Sequence, residues 1–179
     1  VTSPQTLDDA DRRTVADWAA ECAEHVLGLF EAEAPDDLRP REAIERARAY
    51  ARGELDAAGE IKRRFVAGRA ASVATTPAGV SAARAAAQAA AVAHVGSHAL
   101  GAAAYAARAV ALASPDDPRA LDDEVRWQLD RMTDDVRAAL RRLPRLGEDR
   151  SGPLGPGLLA SGMLGAAIRE IQDALGTPG

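Results

Sequence analysis

Residues 76–113 read TPAGVSAARAAAQAAAVAHVGSHALGAAAYAARAVALA, and the way this stretch folds decides the architecture of the whole chain. Alanine loses no side-chain entropy in a helix, so a run this rich in it favours helix strongly. Thr76 followed by Pro77 supplies an N-cap and a pre-set first turn. The pattern predicts a long Ala-rich central helix to about Ala113, and Gly96-Ser97 marks where it would divide into two. From Ala82 onward the run resembles a membrane segment in composition. Arg84, Gln88, His94, His98 and Arg108 interrupt it at short intervals, which reads instead as a buried helix of a soluble protein.

Working outward, Val15, Trp18, Cys22, Val26 and Leu29 recur at three and four residues and predict a first helix from the Thr6–Asp9 cap region to about Phe30. Pro40 opens a second helix that carries Ile44, Ala47, Tyr50 and Ala51 and weakens at Gly53. A third is expected over 57–74, anchored by Ile61, Phe65 and Val73. After the SPDDP turn at 114–118, Leu121, Val125, Leu129, Met132, Val136 and Leu143 predict one further amphipathic helix. Leu164, Ile168, Ile171 and Leu175 define a terminal one. No strand pattern is present, so the expectation is an all-α fold. It would be a single-domain helical bundle of about six to seven helices over residues 1–179, with a Gly/Pro-rich loop at 145–157 before the terminal helix.

Alanine supplies 43 of the 179 residues, against two each of Trp, Tyr, Phe and Met. Helices meeting across such thin side chains approach closely. The net charge of −5 argues against a general nucleic-acid binder, which needs a basic surface to displace counterions, and favours basic partners. The single cysteine, Cys22, sits in an apolar stripe and is expected to be a buried small hydrophobe. The opening VTSPQTLDDADRR is polar and acidic, unlike a signal peptide, so a cytoplasmic location and no membrane partner are expected.

On a continuous central helix, Arg84, His94, His98, Tyr105 and Arg108 fall on one seam, which is polar for so alanine-rich an element. Such a seam lines a cleft or hydrogen-bonds a loop. His94 and His98 stand at i and i+4, a spacing that lets two imidazoles share a metal. No glutamate adjoins His94, and no spacing fixes a third ligand, so hydrogen-bonded core histidines are the stronger reading and neither metal nor cofactor is expected. Cys22 and His25 are close enough on one helix to touch, but a buried structural thiol outweighs a nucleophile. There is no phosphate loop or nucleophile elbow. The paired acids at 36–37, 116–117 and 134–135 read mostly as helix starts, where carboxylates meet free amides. Trp127 lies off the stripe of its helix, as either an interface anchor or an edge-of-core residue.

Three segments, DDADRRTVADWAAECAEHVLGLFE (8–31), PDDLRPREAIERARAYARGE (35–54) and AHVGSHALGAAAYAARA (93–109), together resemble the Imm-five-like family of bacterial immunity proteins. VRWQLDRMTDDVRAALRRLP (125–144) is similar to the family's C-terminal segments. The matching positions include Trp18, Arg39, Pro40, Arg41, His94, His98, Gly101 and Tyr105. The resemblance implies an all-helical fold and a role in neutralising a toxin encoded nearby in a bacterial genome; taken with the small size, the acidity and the lack of a catalytic signature, the leading expectation is a non-enzymatic protein that binds and neutralises a cognate toxin by occlusion. The alternative from the residues alone is a helical small-ligand-binding protein or enzyme with a polar cleft along the central helix. A third reading is a module that forms a homodimer through an alanine-rich face with Gly96 and Gly101.

Overall fold

A computed structural model describes residues 3–63 and 66–176, with the side chains of 61–63 and 67 excepted. Its described residues form nine α-helices and two short 3-10 turns, with no strand among them. The helices are α1 (Asp9–Glu31), α2 (Arg39–Ala51), α3 (Ala57–Arg63), α4 (Val66–Ala70), α5 (Pro77–Ala91), α6 (His98–Ala113), α7 (Ala120–Asp130), α8 (Asp134–Arg141) and α9 (Gly162–Leu175). The fold is all-α, as the patterning predicts, with more and shorter helices than expected.

The alanine-rich stretch is not one long central helix. It breaks between Ala91 and His98, and α5 and α6 pack against each other. The cause is tertiary. The amide of Gly96 donates to the carbonyl of Thr6 at 2.9 Å, and that of Ser97 to the carbonyl of Gln5 at 3.0 Å. The turn thus satisfies its backbone groups with a distant segment instead of with the next helical turn. Gly96 is required there, because a Cβ at that position would stand 2.6 Å from the Leu7 side chain. Leu7 itself has φ +60°, a left-handed conformation uncommon for a leucine.

Helix α6 is the true centre. It packs against α1, α5, α7 and α9, and Ala99 to Ala107 are all buried. A helix apolar on every side has to be surrounded, and the small side chains let four neighbours close around it. Helix α1 is the second hub, with Val15, Trp18, Cys22, Val26 and Phe30 buried against α2, α5, α6 and α8. None of the described helices is long and apolar enough to cross a membrane.

Two further expectations are corrected. The helix predicted over 57–74 is two short ones, and Val73 is exposed instead of anchoring a core. The packing of Ile61 and Phe65 lies outside the described residues. The amphipathic pattern from Leu121 to Leu143 spans two helices, because Thr133 breaks it by capping α8 through its hydroxyl, which accepts from the Val136 amide at 3.2 Å. The apolar period survives the corner because Val125, Met132, Val136 and Leu140 all reach the same core.

The ends of the bundle are tied by side chains. The Glu33 carboxylate accepts hydrogen bonds from the amides of Thr75 and Thr76 and from both hydroxyls. These four donors hold its pKa down at about 2 and clamp the end of α1 to the start of α5. Gln5, 2% exposed, donates to Asp149 at 2.6 Å and to the carbonyl of Ser151 at 2.8 Å, and accepts from the Leu154 amide at 2.9 Å. The Gly/Pro-rich loop is anchored from its other side by Gln172, which pairs with the Leu146 amide and the Pro144 carbonyl.

Candidate functional site

The break at Gly96 redistributes the polar seam. Arg84 lies exposed on α5, His94 lies exposed in the turn, and His98 opens α6, which also carries Tyr105 and Arg108. The structure therefore does not present the five on one helical face. It brings one pair of them together and joins a third, His98, to Gln88. The Arg84 guanidinium sits 6.0 Å from the centroid of the Tyr105 ring, which is itself buried. His98 Nδ1 donates to the Gln88 side-chain oxygen at 2.8 Å, joining α6 to α5. Burial and the neighbouring His94 push the His98 pKa down to about 4, so its imidazole is neutral at pH 7. The absence of a side chain at Gly101 leaves space for the Gln88 oxygen, which would lie 2.2 Å from a Cβ there.

A second polar constellation joins α1 to α7 and has no local signature in the sequence. The Glu124 side chain is only 3% exposed, yet it faces no Arg or Lys ion-pair partner among the described residues. Its oxygens lie 3.1 and 3.0 Å from His25 Nδ1, and Oε1 also accepts from Gln128 Nε2 at 3.1 Å. The His25 ring stacks on Trp127 at a centroid distance of 3.7 Å and an interplanar angle of 8°. The Arg131 guanidinium lies 4.4 Å from the same Trp127 centroid. Two groups that close to one centroid cannot share a face without overlap, so the indole is sandwiched between His25 and Arg131. Arg131 in turn pairs with Glu21 at 2.8 Å. Gln128 completes the link inward, donating through its side-chain amide to the Ala103 carbonyl and accepting through its backbone carbonyl from Trp18 Nε1 at 3.0 Å.

Trp127 is thus a partly buried aromatic at the edge of the core, flanked by the His25 and Arg131 side chains. Cys22 is fully buried beside this cluster, and burial together with the Glu124 and Glu21 charges raises its thiol pKa well above the usual value, so it is a packing residue and not a thiolate. Among the described residues, no three of His, Cys, Asp and Glu converge in a way that would hold a metal ion.

A third feature is a trough along one flank of α2. Three adjoining hollows follow the helix from the 33–39 turn to Leu55. Glu42 lines all three; Arg39 is shared by the first two and Arg46 by the last two. The middle hollow is floored by Ala43, Val66 and Ala90 and walled by the Arg46–Glu60 ion pair, in which Glu60 is buried. The opposite flank of α2 is closed against α1 by the Arg41–Glu31 and Arg48–Glu24 pairs.

The sequence model of one family, described as Imm-5 like putative immunity protein, matches residues 5–135. No curated protein and no solved structure is significantly similar to the chain. The matched span contains Gln5, the α5–α6 turn, the α1–α7 cluster and the whole α2 trough, and stops at the start of α8. It covers well over half of the chain, and the protein belongs to this Imm-5 like family.

Proposed function

We propose that the protein neutralises a cognate toxin by binding it and occluding its working surface. Family membership over residues 5–135 is the observation that carries this reading. The surface is consistent with it. The net charge of −5 suits a basic partner, and rigid side chains such as the sandwiched Trp127 lose little conformational entropy on association. Inhibition by occlusion needs a stable face of matching shape and charge, and a bundle packed around a buried α6 is a stable scaffold for one.

The test is co-expression with the products of neighbouring genes. The expected result is that one such product is toxic alone, is tolerated with this chain, and co-purifies with it. If every plausible neighbour is neither bound nor neutralised, the reading falls.

A further inference from the structure

We infer that the trough along α2 is a docking groove for a basic amphipathic helix of the partner protein. The inference rests on the toxin-binding reading for the partner's identity and on the following observations for its chemistry.

The groove has an apolar lining that nothing in the described structure covers. Among the described residues five large hydrophobic side chains are exposed, and three of them, Leu38 (53%), Val66 (45%) and Val73 (47%), lie in these hollows. Scattered singly, exposed hydrophobics need no explanation, but their concentration along one helix flank marks an interaction surface. Leu55 extends the lining at the far end, and the small side chains of Ala43 and Ala90 leave the floor deep enough for a partner's side chains to enter.

The dimensions suit a helix. From Arg39 to Arg52 the flank rises about 20 Å at 1.5 Å per residue, enough to lie beside roughly three to four turns of a partner. The walls are built of helices and turns with no strand among the described residues, so an extended peptide would find no backbone ladder to join there. Successive hollows in line receive anchor residues at the i, i+3/i+4 and i+7 spacing of an amphipathic helix.

The charge selects a basic helix. Six carboxylates line the hollows, those of Glu33, Asp36, Asp37, Glu42, Glu45 and Glu60, against the three guanidiniums of Arg39, Arg46 and Arg52. Each of those guanidiniums is already engaged, with Asp37, Glu60 and Glu54 respectively. Asp36, Glu42 and Glu45 are exposed along the rim and make no ion pair among the described residues. An apolar floor under an acidic rim is complementary to an apolar stripe flanked by Lys and Arg.

The experiment uses the full chain and two synthetic 18-residue helical peptides of identical pattern, one of leucine and lysine, the other of leucine and glutamate. Amide chemical shifts and fluorescence anisotropy report where and how tightly each binds. The expected result is that the lysine peptide perturbs amides of residues 38–55 and 66–73 and binds at least tenfold more tightly than the glutamate peptide. E42K/E45K, which alters two exposed side chains, is expected to remove that preference while keeping the native amide spectrum. L38S is expected to weaken both peptides. The inference is overturned if perturbations map elsewhere, if the two peptides bind equally, or if E42K/E45K leaves the preference intact. No toxin is needed, so a negative result removes the groove and leaves the immunity reading standing. Failure of the neighbour screen removes the immunity reading and leaves a mapped groove in place.

Discussion

The backbone amide of Ser97 donates to the carbonyl of Gln5 at 3.0 Å, joining the turn between α5 and α6 to a segment 92 residues earlier in the chain. The Gln5 side chain continues the connection to Asp149, Ser151 and Leu154. One buried residue therefore holds three regions of chain that have no local reason to meet.

Replacing Gln5 with leucine keeps the bulk and removes those bonds, leaving the buried Leu154 amide without its acceptor. A buried donor stripped of its partner costs about 1–3 kcal/mol. For a chain of this size that corresponds to a fall in Tm of roughly 2–12 °C. Thermal unfolding followed by circular dichroism measures it, and hydrogen exchange at Leu154 should accelerate more than exchange in α6.

Stability should decline on mild acidification because of His98. Its folded pKa of about 4 lies below the ordinary 6.5, so between these values the unfolded state binds the extra proton. The imidazole's contribution is complete above pH 6.5 and is lost as pH falls towards 4. Urea midpoints at pH 7, 5.5 and 4.5 should fall in that order for the native protein. H98N, which keeps a donor towards Gln88, should flatten the decline across that window.

Glu33 titrates in a lower window. With its carboxyl held at about 2, its contribution is fully present above about pH 4.5 and disappears as pH falls through 2. E33Q should lose about 1–2 kcal/mol at pH 7, since an amide oxygen accepts more weakly than a carboxylate and the amide nitrogen faces donors. Denaturant melts of the two proteins should converge as pH approaches 2.

The α1–α7 cluster is tested by a double-mutant cycle. H25L leaves the Glu124 carboxylate buried without its counter-group and should destabilise by about 2–4 kcal/mol. Removing both partners as H25L/E124L should recover most of that loss, because the desolvated charge goes with them. Chemical denaturation of the two single variants and the pair gives the coupling directly. An additive double variant would show that the His25–Glu124 contact contributes nothing of its own.

How much of this was legible in the sequence differs between elements for physical reasons. The cores of α1, α2 and α9 followed from apolar spacing, and Val15, Trp18, Cys22, Ile44, Ile168 and Ile171 are buried as that spacing requires. The start of α5 was legible in Thr76-Pro77, whose hydroxyl accepts from the Gly79 amide. Periodicity is uninformative within the alanine run, where nearly every position has the same side chain, so only Gly96-Ser97 signalled the break. The reason for the break, pairing with residues 5 and 6, is non-local. The corner at Thr133 was masked by an apolar stripe that continues across it, although Thr-Asp-Asp is a helix-start signature.

The candidate surfaces were less legible. His94 and His98 attracted the chemical reading, and only His98 is held in the structure by a side-chain partner among the described residues. His25 finds Glu124 across 99 positions, and the sole local hint was that Trp127 stood off its stripe. The α2 trough depends on α3, α4 and the 33–39 turn arriving together, which no single window of sequence reports.

The tie between Gln5 and residues 149–154 bears on how the chain is made. During synthesis, the earliest of these residues leaves the ribosome more than a hundred positions before its partners, at a pace of about 5–20 residues per second. For several seconds the α5–α6 turn, with Leu7 due to pack beside Gly96, lacks the strands of chain that later seal it. Helices α1, α2, α5 and α6 can assemble in that interval, but the final closure of the bundle waits for the loop that follows α8.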